Sequence, residues 1–480
     1  MLIWMALPAL CVLALWAVLA ANLGAVRAGF GAIGTGSGPN VEACGRLYYD
    51  VADMDGRAAD LLLIGDGSTP TESRATESAA FQQDQADANT QLEIVGSGIE
   101  GIPHGAAEFV ALENGLSQYS QDISQALYID GRDHGRIAGQ PPAAALAAYQ
   151  AGTAVLHRAK TGVLAEAEAL LKGDQSTLNA KYSGILGTIG RLRLWGILST
   201  LLVITALIGV QGRLRHAFKR RINPLMMLAT LLTAVFGVLL WSGLDTAHDT
   251  YVEQKSQALD SVIALWQDQA VSADMNASES RWLLDIAGTT SNSTADQIAS
   301  TTEQAQFYAD AEQVAAEAHG VSDWQYGVDL QQAAKSLYDA PNSPAGSFTG
   351  GYLGTEMANI TFVGEQQDAD AAFKAYAQYI ADDEKLRGLV DAPGSTGAPG
   401  APAVAAAAAF DTGQVEHDFT GYLTTVNDAF SINQYAFTQA TAHGTAALRI
   451  WLPLPAIWAL LTLAAIALGF APRLHEYRRS

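Results

Sequence analysis

Four long stretches without a charged side chain divide the chain, at 1–26, 194–212, 222–244 and 450–472. A helix needs about 20 apolar residues to cross a bilayer, and each stretch provides roughly that length. The pattern therefore predicts four transmembrane helices, over 1–26, 194–212, 222–244 and 449–472. A cleaved signal peptide is the alternative for the first, because small residues lie near 18–21. The absence of a basic leader and the long apolar core favour a retained anchor.

The short loop between the second and third spans is strongly basic. Positive charge beside a span keeps short loops in the cytoplasm, so the loop 213–221 and the basic tail 473–480 are both expected there. Four spans then place the N-terminus inside as well, and the segments 27–193 and 245–448 outside. The loop carries Arg213, Arg215, Lys219, Arg220 and Arg221.

Helical periodicity dominates the first outer segment. Apolar residues recur at alternating steps of four and three, which predicts a helix buried along one seam. Its acidic positions, Asp50, Asp53, Asp55 and Asp60, are interpreted as a solvated face. Further helices are predicted over 72–97, 104–130 and 142–190, and short connections favour an antiparallel bundle. The seam residues are Leu47, Val51, Met54, Ala58 and Leu61.

The second outer segment repeats this plan. A helix is predicted to continue out of the third span as far as 284, and further helices over 297–318, 324–339, 365–390 and 411–448. A turn-rich passage is expected at 340–365 and a mobile low-complexity loop at 391–404. The fold class expected is an all-α membrane protein with four transmembrane helices and two extracytoplasmic helical-bundle domains. The sequence ADMD at 52–55 is echoed by ADMN at 273–276, which leaves internal duplication and chance both open.

Charge and motifs exclude several functions. The net charge is −22, and the acidic outer segments argue against nucleic-acid binding, which needs basic patches. Cys11 and Cys44 have no partner at zinc-ligand spacing, and no hydrolase, metalloprotease, kinase or P-loop signature is present. We therefore expect no enzymatic activity and no cofactor.

Two groups of basic residues are candidate functional positions. Arg46, Arg57 and Arg74 are the few cations in the first bundle that could contact an acidic ligand. The basic loop is a candidate output surface toward a cytoplasmic partner, although setting the topology is sufficient reason for its charge.

The passages LYYDVADMDGRAADLLLIG at 47–65 and GYLGTEMANITFVGE at 351–365, with the span–ectodomain–span architecture, resemble the GlnX family of actinobacterial membrane sensors. The bundles are also similar, more loosely, to the input domains of chemoreceptors and histidine kinases. The resemblance implies a signalling relay between an extracytoplasmic solute-binding protein that senses amino acids and a cytoplasmic protein kinase. It transfers no binding residues, because both passages are structural.

Three functional classes remain open at this point. The first is the relay, the second is a receptor that binds a small ligand directly in its bundles, and the third is a cell-envelope scaffold. Membrane lipid is an expected partner in each, and a homodimer is compatible with all three.

Overall fold

A computed structural model describes residues 2–33, 36, 38–66, 74–100, 102–218, 223–288, 294–317, 322–339, 347–390, 400–451 and 453–477. Two compact units are formed. The membrane unit contains Met1–Gly36, Leu178–Ser256 and Phe437–Ser480, and the polar unit contains Ser37–Thr177 and Gln257–Ala436. The helices are α1 (Leu2–Ala32), α2 (Gly38–Leu63), α3 (Arg74–Gly98), α4 (Gly105–Asp130), α5 (Ala143–Leu156), α6 (Val163–Phe218), α7 (Pro224–Glu253), α8 (Asp260–Gly288), α9 (Thr294–Val314), α10 (Asp323–Asp339), α11 (Gly351–Ala358), α12 (Glu365–Val390), α13 (Ala401–Phe410), α14 (Glu416–Trp451) and α15 (Leu454–Tyr477).

Four helical stretches are long and apolar enough to cross a membrane, as the sequence predicts, and the chain has the character of a multi-pass membrane protein. They lie within Ala6–Gly29, Val163–His216, Pro224–Gly288 and Leu454–Ala471. Helix α6 runs unbroken for 56 residues and includes the whole of the second apolar stretch.

Small residues let the apolar helices approach closely. A Cβ built on Gly237 of α7 would lie 2.6 Å from Cγ2 of Thr200 in α6, so a larger residue there would displace the Thr200 side chain. The rings of Phe236 in α7 and Trp458 in α15 stack with centroids 4.5 Å apart. The Asn223 amide donates to the carbonyl of Gly469 over 2.7 Å, which satisfies two polar groups in an apolar setting.

The polar unit is built from both outer segments together. Helix α2 of the first segment packs along α8 of the second, α3 covers α2, and α9 covers α8. The prediction of two separate bundles is therefore not confirmed, because the α2–α8 interface joins them in one compact unit.

The packing within the polar unit is reciprocal, as expected for an internal duplication. A Cβ built on Gly56 would lie 3.4 Å from Cα of Ala277, and these residues directly follow the matching ADMD and ADMN sequences. Helix α5 contacts α8, and α13, which holds the corresponding place in the second half, contacts α2. Equivalent elements thus exchange equivalent contacts, which favours duplication over chance.

Most predicted helix bounds agree with the structure to within a few residues, with three exceptions. The helix predicted over 142–190 is divided between α5 and α6, at a turn where Lys160 has a φ of 69°. The final helix ends at Trp451, and α15 begins after Pro453, whose ring and missing N–H oppose helix continuation. The passage at 340–365 contains α11 and the short strand β2 (Phe348–Gly350), which pairs antiparallel with β1 (Ala316–Glu317).

The seam predicted along α2 is buried, but its acidic face is buried too. Asp50, Asp53, Asp55 and Asp60 are 7%, 4%, 0% and 3% exposed. The prediction of a solvated face is wrong, because α2 is a central helix covered by α3 and α8. Of the predicted mobile loop, 391–399 lie outside the described residues, and Ala401–Val404 begin α13.

Candidate functional site

The three arginines predicted to contact a ligand are all engaged by carboxylates. Arg46 pairs with Glu42 one turn away, at 3.1 Å. Arg57 lies among Asp53, Asp84, Glu77 and Glu416, at 3.1, 2.9, 3.2 and 3.6 Å. Arg74 pairs with the buried Asp130, which also binds Arg136. These contacts give the arginines structural partners within the fold, and the structure does not bring the three together.

Arg281 of α8 lies at the centre of a buried ion cluster. Its Nη1 donates to Asp55 of α2 at 2.8 Å, its Nη2 to Asp274 at 3.1 Å, and its Nε to Glu303 of α9 at 2.7 Å. The side chain is only 4% exposed. Three carboxylates around one guanidinium compensate for desolvation of the cation, and they tie both outer segments together.

Asp55 receives further hydrogen bonds from the first segment. Its Oδ1 accepts from Tyr119 at 3.2 Å and from Thr153 at 3.1 Å, while Nε2 of His157 lies 3.7 Å from Oδ2. Burial acts to raise the pKa of Asp55, but the neighbouring His157 and Arg281 outweigh it and hold the pKa below its ordinary value. Asp55 is therefore ionised, and the Arg281 cluster is a fixed ionic core.

A groove with two lysines lies on the surface between α10 and α12. Its volume is about 550 Å³, and its lining includes Gln331, Lys335, Tyr338, Lys374 and Gln378 above an alanine floor. Nζ of Lys374 lies 4.6 Å from the centroid of the Tyr338 ring, which is 69% exposed. We call these residues the lysine groove.

The lysine groove differs in charge from the surrounding segment. The segment 257–436 contains 25 Asp and Glu but only five Lys and Arg. Arg281 and Arg387 are buried, and Lys385 lies over the Phe410 ring at 4.2 Å. The remaining two, Lys335 and Lys374, both line the groove, so this surface presents positive charge and an aromatic ring to solvent.

The loop predicted over 213–221 is helical in its first part, because α6 continues to Phe218, and 219–221 lie outside the described residues. Arg213 and Arg215 lie exposed near the end of α6, and the predicted output residues Lys219, Arg220 and Arg221 lie outside the described residues. Among the residues that the structure describes, no group of three His, Cys, Asp or Glu side chains could hold a metal ion.

Sequence reasoning missed the Arg281 cluster and the lysine groove. A signal for the first was present, because Arg281 is a lone cation next to the apolar Trp282-Leu283-Leu284 patch. A cation beside such a patch indicates a buried pair. The groove carries no local signal, since Lys335 and Lys374 lie on helices brought together only by the fold.

Residues 29–183, about a third of the chain, match the family model for the actinobacterial sensor domain. The match supports an actinobacterial sensor family for this segment, which extends from the end of α1 into α6. No curated protein matches the chain, and no solved structure does. The similarity indicates a sensing role.

Proposed function

We propose that this protein is a transmembrane signalling relay without enzymatic activity of its own. It passes the state of an extracytoplasmic amino-acid-binding protein to a cytoplasmic partner such as a protein kinase. The observation that carries this proposal is the sensor-domain match at 29–183, because α6 begins inside the matched segment and continues unbroken into an apolar span. A match to a sensor domain also suits a non-enzymatic role.

The proposed orientation follows from charge. The basic loop and tail lie in the cytoplasm, and both outer segments lie outside, since positive charge beside a span resists translocation. An extracytoplasmic position also suits the acidic charge of the polar unit, because an acidic surface is not suited to binding an anionic lipid surface.

The lysine groove is the proposed docking surface for the outer partner. Two lysines and an exposed tyrosine on an otherwise acidic segment are complementary to an acidic surface segment of a solute-binding protein. The tyrosine provides a rigid contact area of the kind enriched in interfaces. Binding there engages α10 and α12 of the polar unit.

The basic loop is the proposed output surface. Its first residues form the end of α6 and its last precede α7, so a shift of either helix moves it, and packed helices shift between discrete arrangements more readily than they deform. Its five cations suit an acidic surface on the cytoplasmic partner.

The output is tested by replacing Arg220 and Arg221 with Gln, which leaves Arg213, Arg215 and Lys219 to hold the topology. The intact protein is purified from membranes without cross-linking, at low and at high salt, and its cytoplasmic partners are quantified by mass spectrometry. We expect normal insertion and reduced recovery of one cytoplasmic partner, with the wild-type recovery falling as salt rises. The matched control replaces Arg473 and Arg478 in the tail. Equal recovery from the loop variant and the wild type would reduce the loop to a topology determinant.

The outer surface is tested by placing a photo-cross-linking residue at Tyr338. We expect it to capture an exported protein, and the double charge reversal Lys335→Glu with Lys374→Glu to abolish that capture. Lys172→Glu is the control, because Lys172 is an exposed cation outside the groove. Capture that persists in the double variant contradicts docking through charge and leaves direct ligand binding or a scaffold role as the better accounts.

A further inference from the structure

The GYLGTEMANITFVGE passage contains two buried glutamates that face each other. Glu356 in α11 is 1% exposed, and Glu365 at the start of α12 is 0% exposed. The Glu365 carboxyl group lies close enough to Glu356 for a side-chain hydrogen bond, provided that one of the two groups carries a proton. Two carboxylates cannot form such a bond, so one proton lies between them in the folded state.

The surroundings assign that proton to Glu356. Oε2 of Glu365 accepts from the backbone N–H groups of Thr361 and Phe362, at 2.6 and 2.7 Å, and lies at the N-terminus of α12. Both features direct positive partial charge at the Glu365 carboxylate. Glu356 has weaker support, from the Asn433 amide at 3.0 Å and from Ser261. Burial first, and then the charge of Glu365, raise the pKa of Glu356 to about 7.

Each glutamate has one buried side-chain oxygen without a hydrogen-bond partner. Oε2 of Glu356 and Oε1 of Glu365 are buried, and neither has a hydrogen-bond partner among the described residues. Asp268 of α8 is a further carboxyl group that interacts electrostatically with Glu356, and it adds negative charge when it is ionised. Loss of the shared proton therefore leaves two anions in contact in a buried setting.

The pair closes a turn against the start of α8. Asn359, between the two glutamates in sequence, donates from Nδ2 to the Gln257 carbonyl at 3.2 Å and to Ser261 at 2.9 Å. Gln257 lies in a π-helical segment, Gln254–Leu259, and π segments often occur at functional positions. The chain passes from the membrane unit to the polar unit within this segment, at Ser256 and Gln257.

We propose that Glu356 and Glu365 form a proton-dependent latch. The shared proton holds the turn between α11 and α12 on the π-helical entry to α8, and loss of that proton releases the turn. This inference goes beyond the relay function, because it makes proton concentration an input at the point where the chain leaves the membrane unit.

The sign of the effect follows from linkage. The folded state binds the proton more tightly than the unfolded state, so the contribution of the latch is fully present below pH 4.5 and is lost as pH rises through about 7. Opening of the turn should therefore increase by up to about tenfold per pH unit between these values.

The test is hydrogen exchange with mass spectrometry on the full chain in lipid nanodiscs, at several pH values from 5 to 8, with rates corrected for intrinsic exchange. We expect peptides covering 351–366 and 254–262 to lose protection as pH rises in the wild type. In Glu356→Gln these peptides should stay protected at every pH. Because Asp268 is still present in that variant, the result distinguishes an effect of Glu356 from an effect of Asp268. Glu312→Gln, at an exposed position on α9, should behave as the wild type.

Glu365→Gln provides a second variant. Its amide oxygen can still accept the two backbone N–H groups, and its NH₂ can donate to an ionised Glu356, so the pH dependence of the turn should again disappear. A wild-type turn whose protection does not change with pH overturns the latch. So does a pH dependence that persists in both Gln variants.

Discussion

Arg281 and Asp55, 226 positions apart in sequence, form a buried ion pair of 2.8 Å that joins the two outer segments. Asp55 is fully buried, and Arg281 is 3% exposed. Asp274 and Glu303 complete the coordination of the guanidinium. The pair shows why the two segments fold as one unit, since each supplies a charge that the other would have to bury unpaired.

Removing the cation should be strongly destabilising. Arg281→Met leaves Asp55 and Asp274 buried without their partner, and breaking such a pair costs about 3–5 kcal/mol. We expect a large fall in the thermal unfolding midpoint of the purified protein in detergent or nanodiscs. Arg158→Met, at an exposed position, is the control and should change it little. An unchanged midpoint in Arg281→Met would show that the cluster does not hold the segments together.

The crossing of α2 and α8 should not tolerate a large side chain. Gly56→Leu pushes against the backbone of Ala277, and overpacking of this kind costs about 1–3 kcal/mol. Gly56→Ala places its methyl group at ordinary contact distance and should cost less. Gly421→Leu on α14 is the control, because a Cβ there meets open space. We expect the lowest unfolding midpoint for Gly56→Leu and a midpoint close to that of the wild type for Gly421→Leu. Equal midpoints for all three variants would contradict the close crossing.

Asp268 should make stability decrease toward alkaline pH. Burial, followed by the charge of Glu356, raises the pKa of Asp268 to about 8, although a 2.6 Å hydrogen bond from Tyr422 opposes the change. A raised folded-state pKa means that the stabilising contribution is fully present below about pH 3.8 and is lost as pH rises through about 8. Asp268→Asn stays neutral and should flatten this part of the profile. The measurement is the unfolding midpoint against pH, with Asp428→Asn as an exposed control. If Asp268→Asn keeps the wild-type slope of the unfolding midpoint against pH, other groups cause that slope.

Local patterns predicted the elements of this fold well. Uncharged stretches of spanning length predicted the four apolar helices, and the steps of three and four along α2 predicted its buried seam. These signals depend on neighbours in sequence, which is why they are readable without a structure.

What the sequence did not predict depends on distant partners. Asp55 appears solvated when α2 is considered alone, and only the packing of α8 supplies Arg281 to neutralise it. The same applies to Glu356 and Glu365, which appeared to be ordinary polar residues in a turn. The turn after α5 was missed although Gly162 closes it, because a single glycine does not by itself end a helix and Lys160, which adopts the left-handed conformation, carries no turn signal.

The orientation of the chain in the membrane is the claim on which the relay depends, and labelling tests it directly. Single cysteines at Ser117, Gln367 or Ala217 are introduced into a background with Cys11→Ala and Cys44→Ala, and intact cells are treated with a membrane-impermeant thiol reagent. Ser117 and Gln367 lie exposed on α4 and α12 of the polar unit, and Ala217 lies within the basic loop 213–221. The account predicts that the first two react in intact cells and that Ala217 reacts only after the membrane is permeabilised. Labelling at Ala217 in intact cells, with Ser117 and Gln367 protected, would contradict it.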